Sequence, residues 1–308
     1  MDAPSFELTL LPGARALLER HARELPQRDE LCGAFCAALA LHAAGFEQRG
    51  GEPLDQDAVA LAAGSVISET PDTDSLPFGE RGRRDYRVSL PLTHDSMRSG
   101  TTAPGLVDAI EQLAGAELAA IPYGGPWSGR VLDGLFDLAR GFANPVTLVA
   151  NHATGHLWGT HPRADQLLDY LLDGELEGPP PDWRVGHFAC VVGRVDGPGG
   201  ALYALADTYP ALGNGGVHLQ PRERLAAALN RREPPAGQGN RTRAADPTRA
   251  PVAMPAQEAT ANGAERPGGG IIVVASALDA PALRAGARAL GLDEGAWDNG
   301  TVTAELLR

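Results

Sequence analysis

The sequence predicts an α+β fold in which a central buried helix packs on a small antiparallel sheet. The run from Leu31 to Ala44, LCGAFCAALALHAA, is apolar on nearly every side, which is typical of a helix in the core. Strands are predicted at His187 to Val195 and at Ala201 to Thr208. The turn-rich residues 196–200 separate these strands and favour an antiparallel pair.

The remaining elements follow from hydrophobic periodicity and from residues typical of helix ends. Thr101 or Thr102 is expected to cap a helix that runs to about Leu113, with Pro104 in its first turn. Further helices are predicted over 13–25, 52–65, 164–172, 219–230 and 281–290, and further strands over 145–151 and 271–275.

Two irregular stretches interrupt these elements. Residues 68–99 are rich in Pro, Asp, Arg and Gly without clear periodicity and are predicted to be a loop or an insertion. Residues 231–270 contain few large apolar side chains, a composition typical of a disordered insertion. Because the strand that follows is expected to return to the same sheet, residues 1–308 are predicted to form a single domain.

Composition narrows the classes of function. The net charge of -13 and the absence of a basic stripe argue against a nucleic-acid partner, since phosphate recognition needs clustered cations. All 26 basic residues are Arg, and there is no Lys. The absence of Lys therefore excludes Schiff-base chemistry, pyridoxal phosphate enzymes, Ser-Lys dyads and phosphate loops with an essential Lys. We predict no cofactor and no metal.

The expected location is the cytoplasm. Three Cys in a chain of 308 residues cannot form a disulfide framework and indicate a reducing compartment. The N-terminus lacks a basic start followed by an apolar run, so no secretory signal is predicted. No segment is long and apolar enough to span a membrane. The sequence does not indicate an oligomeric state.

Four residues form a candidate thiol site. Cys32 lies at the start of the buried helix, where unpaired N–H groups and the helix dipole stabilise a thiolate. Gln27, shortly before it, is a candidate oxyanion donor. His187 opens one predicted strand and Asp207 ends the next, so antiparallel pairing is expected to place the histidine beside a carboxylate that orients it.

These residues also resemble a known family. The stretch CGAFCAALAL after Gln27, then GHFACVVG and LADTYP, resembles the bacterial papain-like peptidases that cleave double-glycine leader peptides. The resemblance implies a papain-like fold and a peptide or protein substrate. It also implies that Cys32 is the nucleophile, Gln27 the oxyanion donor, His187 the base and Asp207 its partner. In the family the Gln lies six positions before the Cys, whereas Gln27 lies five positions before Cys32, and two residues separate Asp207 from Pro210.

Three alternatives remain open. Cys32 and Cys36 lie four residues apart and could both be small core residues, which is the role predicted for Cys190 as well. His187 and Asp207 could be polar residues at strand ends, in a non-catalytic relative that binds a peptide or protein partner.

The third alternative is a zinc hydrolase. Three histidines fall within ten residues, in the stretch NHATGHLWGTHP: His152, His156 and His161. The Gly and Pro residues between them indicate a loop, and no acidic residue stands at the helical spacing of the usual metalloprotease motif. The sequence therefore favours solvated or substrate-lining loop histidines.

Overall fold

A computed structural model describes residues 4–73, 76–230 and 268–303. Its helices are α1 (Ala14–Glu24), α2 (Cys32–Ala43), α3 (Gln56–Ala62), α4 (Ala103–Ala114), α5 (Gly129–Arg140), α6 (Ala164–Asp173), α7 (Arg222–Leu229) and α8 (Ala280–Ala289). Its strands are β1 (Glu7–Leu10), β2 (Gln48–Arg49), β3 (Glu52–Pro53), β4 (Ile67–Ser68), β5 (Leu92–Thr93), β6 (Leu118–Tyr123), β7 (Val146–Ala153), β8 (Gly186–Asp196), β9 (Ala201–Ala206), β10 (Val217–Pro221) and β11 (Gly270–Ser276). The predicted α+β class is confirmed.

A seven-stranded antiparallel sheet forms the centre of the fold. Six strands lie in the order β10-β9-β8-β7-β11-β6, and β1 pairs with the end of β8. The predicted β8–β9 pair is present, with Cys190 opposite Ala206. The sheet is larger than predicted because β1, β6 and β10 also join it. Among them β6 carries Pro122, which lacks a backbone N–H and is tolerated at a sheet edge.

Two of the predicted helices were partly wrong. The helix predicted over 219–230 begins only at Arg222, because 219–221 belong to β10 and pair with β9. The helix predicted over 52–65 is the shorter α3, because 52–53 pair with β2 in a small hairpin. Asp55 then caps α3 by accepting hydrogen bonds from the N–H groups of the next turn.

The helix α2 packs on β8 and β7 and is covered by α1, α3 and α4. Ten of its twelve residues are buried, as the all-apolar sequence predicts. Gly33 permits a close approach of α2 to α4 and β8, because a Cβ there would lie 2.9 Å from Leu106 Cδ1 and 3.2 Å from Phe188 Cδ2. Since Phe188 follows His187, this packing places the start of α2 beside the start of β8.

Residues 68–99, as far as they are described, have little regular structure. Their main regular elements are β5 and a short 3-10 turn at Ser96–Arg98. They are nevertheless anchored on the residues before α2. Arg83 N–H donates to Asp29 Oδ1 at 2.7 Å, and its Nη1 donates to the Pro26 carbonyl at 2.7 Å. Asp29 N–H returns a hydrogen bond to the Arg83 carbonyl at 2.9 Å. The segment thus braces the chain leading to Cys32.

Most of the insertion predicted over 231–270 lies outside the described residues. Its last residue, Gly270, begins β11, which lies between β7 and β6 as a central strand. The chain thus returns to the sheet after 231–267. Within the described ranges, no helix has the length and apolar character needed to cross a membrane.

Candidate active site

His187 and Asp207 are joined by a buried hydrogen bond. His187 is the second residue of β8 and Asp207 directly follows β9, so the antiparallel pair brings them to the same end of the sheet. His187 Nε2 lies 2.8 Å from Asp207 Oδ1, and both side chains are almost inaccessible to solvent. The Thr208 N–H also donates to Oδ1, at 2.6 Å. The juxtaposition expected from the sequence is present.

This pairing changes the acidity of both groups. Burial alone lowers the pKa of His187, but the Asp207 carboxylate, with a smaller contribution from Cys32, raises it to about 10. Burial alone raises the pKa of Asp207, but His187 and then His218 hold it well below its usual value. At neutral pH the pair is therefore an imidazolium and a carboxylate.

Cys32 is the thiol that meets this pair. It is the first residue of α2 and is partly exposed. Its side chain lies close enough to that of His187 to be among the groups that raise the His187 pKa. Since Asp207 holds Nε2 of the ring, Nδ1 remains for Cys32. The structure thus brings Cys32 next to the hydrogen-bonded pair of His187 and Asp207.

The other two thiols belong to the packing of α2 on β8. Cys36 and Cys190 are both inaccessible to solvent. Cys190 Sγ lies 3.7 Å from the Cys36 carbonyl and donates a weak hydrogen bond to it. Burial raises the pKa of Cys36 well above its usual value, so this thiol stays protonated.

Gln27 is buried next to the same cluster. Its backbone N–H donates to the Thr208 carbonyl at 3.0 Å, and its side-chain Nε2 donates to the Tyr209 hydroxyl at 3.0 Å. Among the described residues, Gln27 Oε1 has no hydrogen-bond partner. A half-turn of the amide would let Tyr209 donate to Oε1 and would free Nε2 for an oxyanion.

Aromatic rings that the sequence analysis did not single out cover His187. The Trp183 ring lies 4.9 Å from the His187 ring between centroids, and the Tyr209 ring stacks on it at 6.3 Å with an interplanar angle of 18°. Burial, and then the charge of Cys32, raise the pKa of Tyr209 well above its usual value, so its hydroxyl stays neutral. The nearness of Tyr209 to Asp207 in the sequence could have indicated this role, whereas nothing local indicates Trp183.

Two further histidines reach Asp207 and were also missed. His218 Nε2, on β10, donates to Asp207 Oδ2 at 3.1 Å. His21 Nε2, on α1, donates to the Asp207 main-chain carbonyl. The helix predicted over 13–25 did not indicate this contact of His21, and β10 was expected to be mostly helix.

The histidines of the zinc alternative do not converge. His152 is fully buried on β7 opposite His187, with 5.9 Å between the ring centroids, whereas His156 and His161 are exposed. Burial, and then His187, lower the pKa of His152 to about 3, so it is neutral. Within the described ranges, no group of three or more His, Cys, Asp or Glu side chains is arranged to hold a metal ion.

Two neighbouring glycines in the turn between β9 and β10 are expected to differ in how much stability is lost when each is replaced by alanine. Gly215 and Gly216 both have positive φ, 59° and 83°, but a Cβ at 215 meets nothing within 4 Å. A Cβ at 216 would lie 2.9 Å from His21 Cε1 and 3.2 Å from the Asp207 carbonyl oxygen. We expect Gly215→Ala to cost about 1 kcal/mol from backbone strain.

Gly216→Ala should cost about 1 to 3 kcal/mol more, because its methyl group also displaces the packed His21 ring. Urea denaturation of both variants measures the difference. Equal free energies of unfolding for the two variants would contradict the packing described for His21.

Together these contacts define a class of site: a thiol at the start of a buried helix, beside a histidine that a buried carboxylate orients. The chain belongs to DUF6885, a family of unknown function, whose family model matches residues 11–240. That range includes Gln27, Cys32, His187 and Asp207. No curated protein matches the chain.

Proposed function

We propose that this protein is a papain-like cysteine peptidase, or a related thiol acyl-transfer enzyme, that acts on a peptide or protein amide in the cytoplasm. The observation that carries the proposal is the placement of Cys32 beside His187, which is itself hydrogen-bonded to Asp207. A catalytic thiol needs a base within reach, and that base needs an orienting partner on its other ring nitrogen.

The mechanism follows from the charges of the three groups. In the proposed mechanism Cys32 acts as a thiolate beside the His187 imidazolium, and its sulfur attacks the substrate carbonyl carbon. The carbonyl oxygen becomes an oxyanion, which the Cys32 N–H can bind because the first N–H groups of a helix have no intrahelical partner.

His187 then gives its proton to the leaving amine as the C–N bond breaks, which leaves an acyl group on Cys32. In hydrolysis, His187 removes a proton from water, the resulting hydroxide attacks the thioester, and the thiolate departs. Transfer to another amine uses the same steps, with the amine in place of water. Gln27 supplies the second oxyanion donor once its amide is turned toward the substrate.

The resemblance to double-glycine leader peptidases supports the same assignment. In both, a thiol begins a helix that packs on an antiparallel sheet, and the His and Asp follow on neighbouring strands. In this chain α2 packs on β8, and Asp207 follows β9. A papain-like arrangement is therefore the fold that we propose for the α+β structure.

Alkylation of the intact protein tests the proposal. Iodoacetamide at about pH 6 should modify Cys32 selectively, because an imidazolium beside it maintains a thiolate where an ordinary thiol is less than about 1% ionised. Mass spectrometry of proteolytic fragments would locate the label. Inertness of all three thiols at pH 6 would exclude a thiolate–imidazolium pair and with it the enzyme.

One observation favours a second candidate, a non-catalytic relative that binds a peptide or protein partner. The Gln27 amide N–H is engaged by Tyr209 and is not directed at an oxyanion. Incubation with a mixture of peptide thioesters separates the two candidates. An enzyme forms an acyl adduct on Cys32 and releases product, whereas a binding protein retains its ligand unchanged.

A further inference from the structure

The Asp207 carboxylate is held at both oxygens, and the mechanism above uses only one of them. Oδ1 accepts from His187 and from the Thr208 N–H. Oδ2 lies 3.1 Å from Nε2 of His218, which is 4% exposed. His218 thus stands on the far side of the carboxylate from His187.

The hydrogen bonds around His218 determine which of its ring nitrogens carries the proton. Gln220 Oε1 accepts from the Trp158 N–H at 2.8 Å, and Gln220 Nε2 donates to the Trp158 carbonyl at 3.0 Å. These two bonds leave Gln220 Nε2 as the amide end facing His218 Nδ1, at 3.0 Å. Nδ1 must therefore accept, and the proton lies on Nε2, where it is donated to Asp207.

We propose that His218 is a positioning residue for the acyl-transfer site: its Nε2–H holds Asp207 Oδ2, so that Oδ1 stays directed at His187. This inference rests on the proposed function and extends it by one residue, on β10. His218 acts through Asp207 and His187. The backbone of Trp158, through Gln220, keeps it in the donating form.

The role proposed for His218 is to prevent rotation of the Asp207 carboxylate. A cavity of about 10 Å³, room for about one water molecule, is lined by Asp207 and His218 together with Trp183. Without the His218 donor, Oδ2 would be a buried charged atom with an unsatisfied acceptor, and the carboxylate would turn toward this cavity. That rotation would move Oδ1 out of line with His187 Nε2 and loosen the ring that meets Cys32.

The test depends on a pH profile, so every titratable group around the carboxylate matters. The titratable groups near the carboxylate or lining the same cavity are His21 on α1, Cys32 and Cys36 on α2, His152 on β7, Asp182 before β8, His187 on β8, Tyr209 after β9 and His218 on β10. Burial lowers the pKa of His21, and it lowers that of His152 to about 3, so His152 stays neutral from pH 5 to pH 9. The profile of Cys32 therefore reports on His187 and its partners.

The experiment compares His218→Gln with His218→Met. The two side chains have similar length and volume, but only Gln carries a donor that can reach Oδ2. The rate of Cys32 alkylation by iodoacetamide is measured from pH 5 to pH 9 in the intact protein. At pH 6, we expect the alkylation rate of His218→Gln to stay within about threefold of the wild-type rate. The rate of His218→Met should be lower than the wild-type rate by about tenfold or more.

Thermal unfolding distinguishes a positioning role from a packing role. Packing alone would lower the melting temperature of His218→Met and leave the alkylation profile of the folded protein unchanged. Equal profiles for the two folded variants would overturn the inference and leave the proposed function intact. Failure of the wild-type protein to react with iodoacetamide at pH 6 would overturn the proposed function, and the inference with it. Should His218→Met not fold, His218→Phe, which keeps a ring and lacks a donor, replaces it under the same criteria.

Discussion

Replacement of Cys32 by alanine is expected to abolish alkylation at pH 6 and to lower turnover of a peptide substrate by about 10⁴-fold or more. The physical reason is that no other thiol can take its place, since Cys36 and Cys190 are inaccessible to solvent. Product formation from a peptide mixture, followed by mass spectrometry, measures the loss. The reaction requires a covalent bond to Cys32, so the acyl adduct should vanish with it.

Cys36→Ala provides the matched control. Cys36 lies one helical turn further along α2, in the core, so its loss should cost stability through a small cavity. Alkylation of Cys32 and peptide turnover should remain at the level of the unchanged protein. Turnover that survives in Cys32→Ala would show that the reaction takes place elsewhere and would contradict the assigned nucleophile.

The second large effect is expected for Asp207→Asn. The neutral amide removes the charge that raises the His187 pKa, and burial then lowers that pKa below 6.5. Cys32 loses its imidazolium partner, so its alkylation at pH 6 should slow about 100-fold, toward the rate of an ordinary thiol. Turnover should fall by about 10² to 10⁴-fold, because an amide can also donate to His187 Nε2 and place the ring proton on the wrong nitrogen.

The same variant should change how stability depends on pH. Because folding raises the His187 pKa from 6.5 to about 10, the folded state holds this proton more tightly. The resulting stabilisation is complete below pH 6.5 and is lost as the pH rises through about 10, by at most about 1.4 kcal/mol per pH unit. Asp207, whose pKa is lowered, contributes stability above about pH 4 that is lost as the pH falls. Stability from the pair is therefore greatest between about pH 4 and 6.5.

Urea denaturation between pH 6.5 and 10 measures this dependence. The decline in the free energy of unfolding that belongs to His187 should disappear in Asp207→Asn. Asp182→Asn is the matched control, because Asp182 lines the same cavity but is exposed and accepts from the Thr160 N–H instead. The decline in the free energy of unfolding should persist in Asp182→Asn. An equal slope in Asp207→Asn would mean that Asp207 does not set the His187 pKa.

Local patterns in the sequence predicted much of the framework of the site. The apolar run that forms α2 could be recognised because a helix buried on all sides has no polar face. The β8–β9 pair could be recognised because a short turn-rich connection joins two apolar strands. The nearness of His187 to Asp207 followed from that pairing alone, since a hairpin brings its two open ends together.

Other parts of the site could not be predicted, because they depend on contacts between distant residues. β10 was expected to be mostly helix, since its buried positions carry the polar residues His218 and Gln220 and offer no apolar face, and with it His218 was missed. The role of Arg83 as a brace on Pro26 and Asp29 is likewise absent from any local pattern.

The sequence by itself therefore determined the elements that carry Cys32, His187 and Asp207, because helix and strand periodicity are local properties. The placement of Cys32 beside His187 depended on α2 packing against β8 at Gly33, which only the tertiary structure shows. The second donor to Asp207 likewise depended on where β10 joins the sheet. Such contacts are decided by the packing of elements far apart in the chain, and no short-range pattern encodes them.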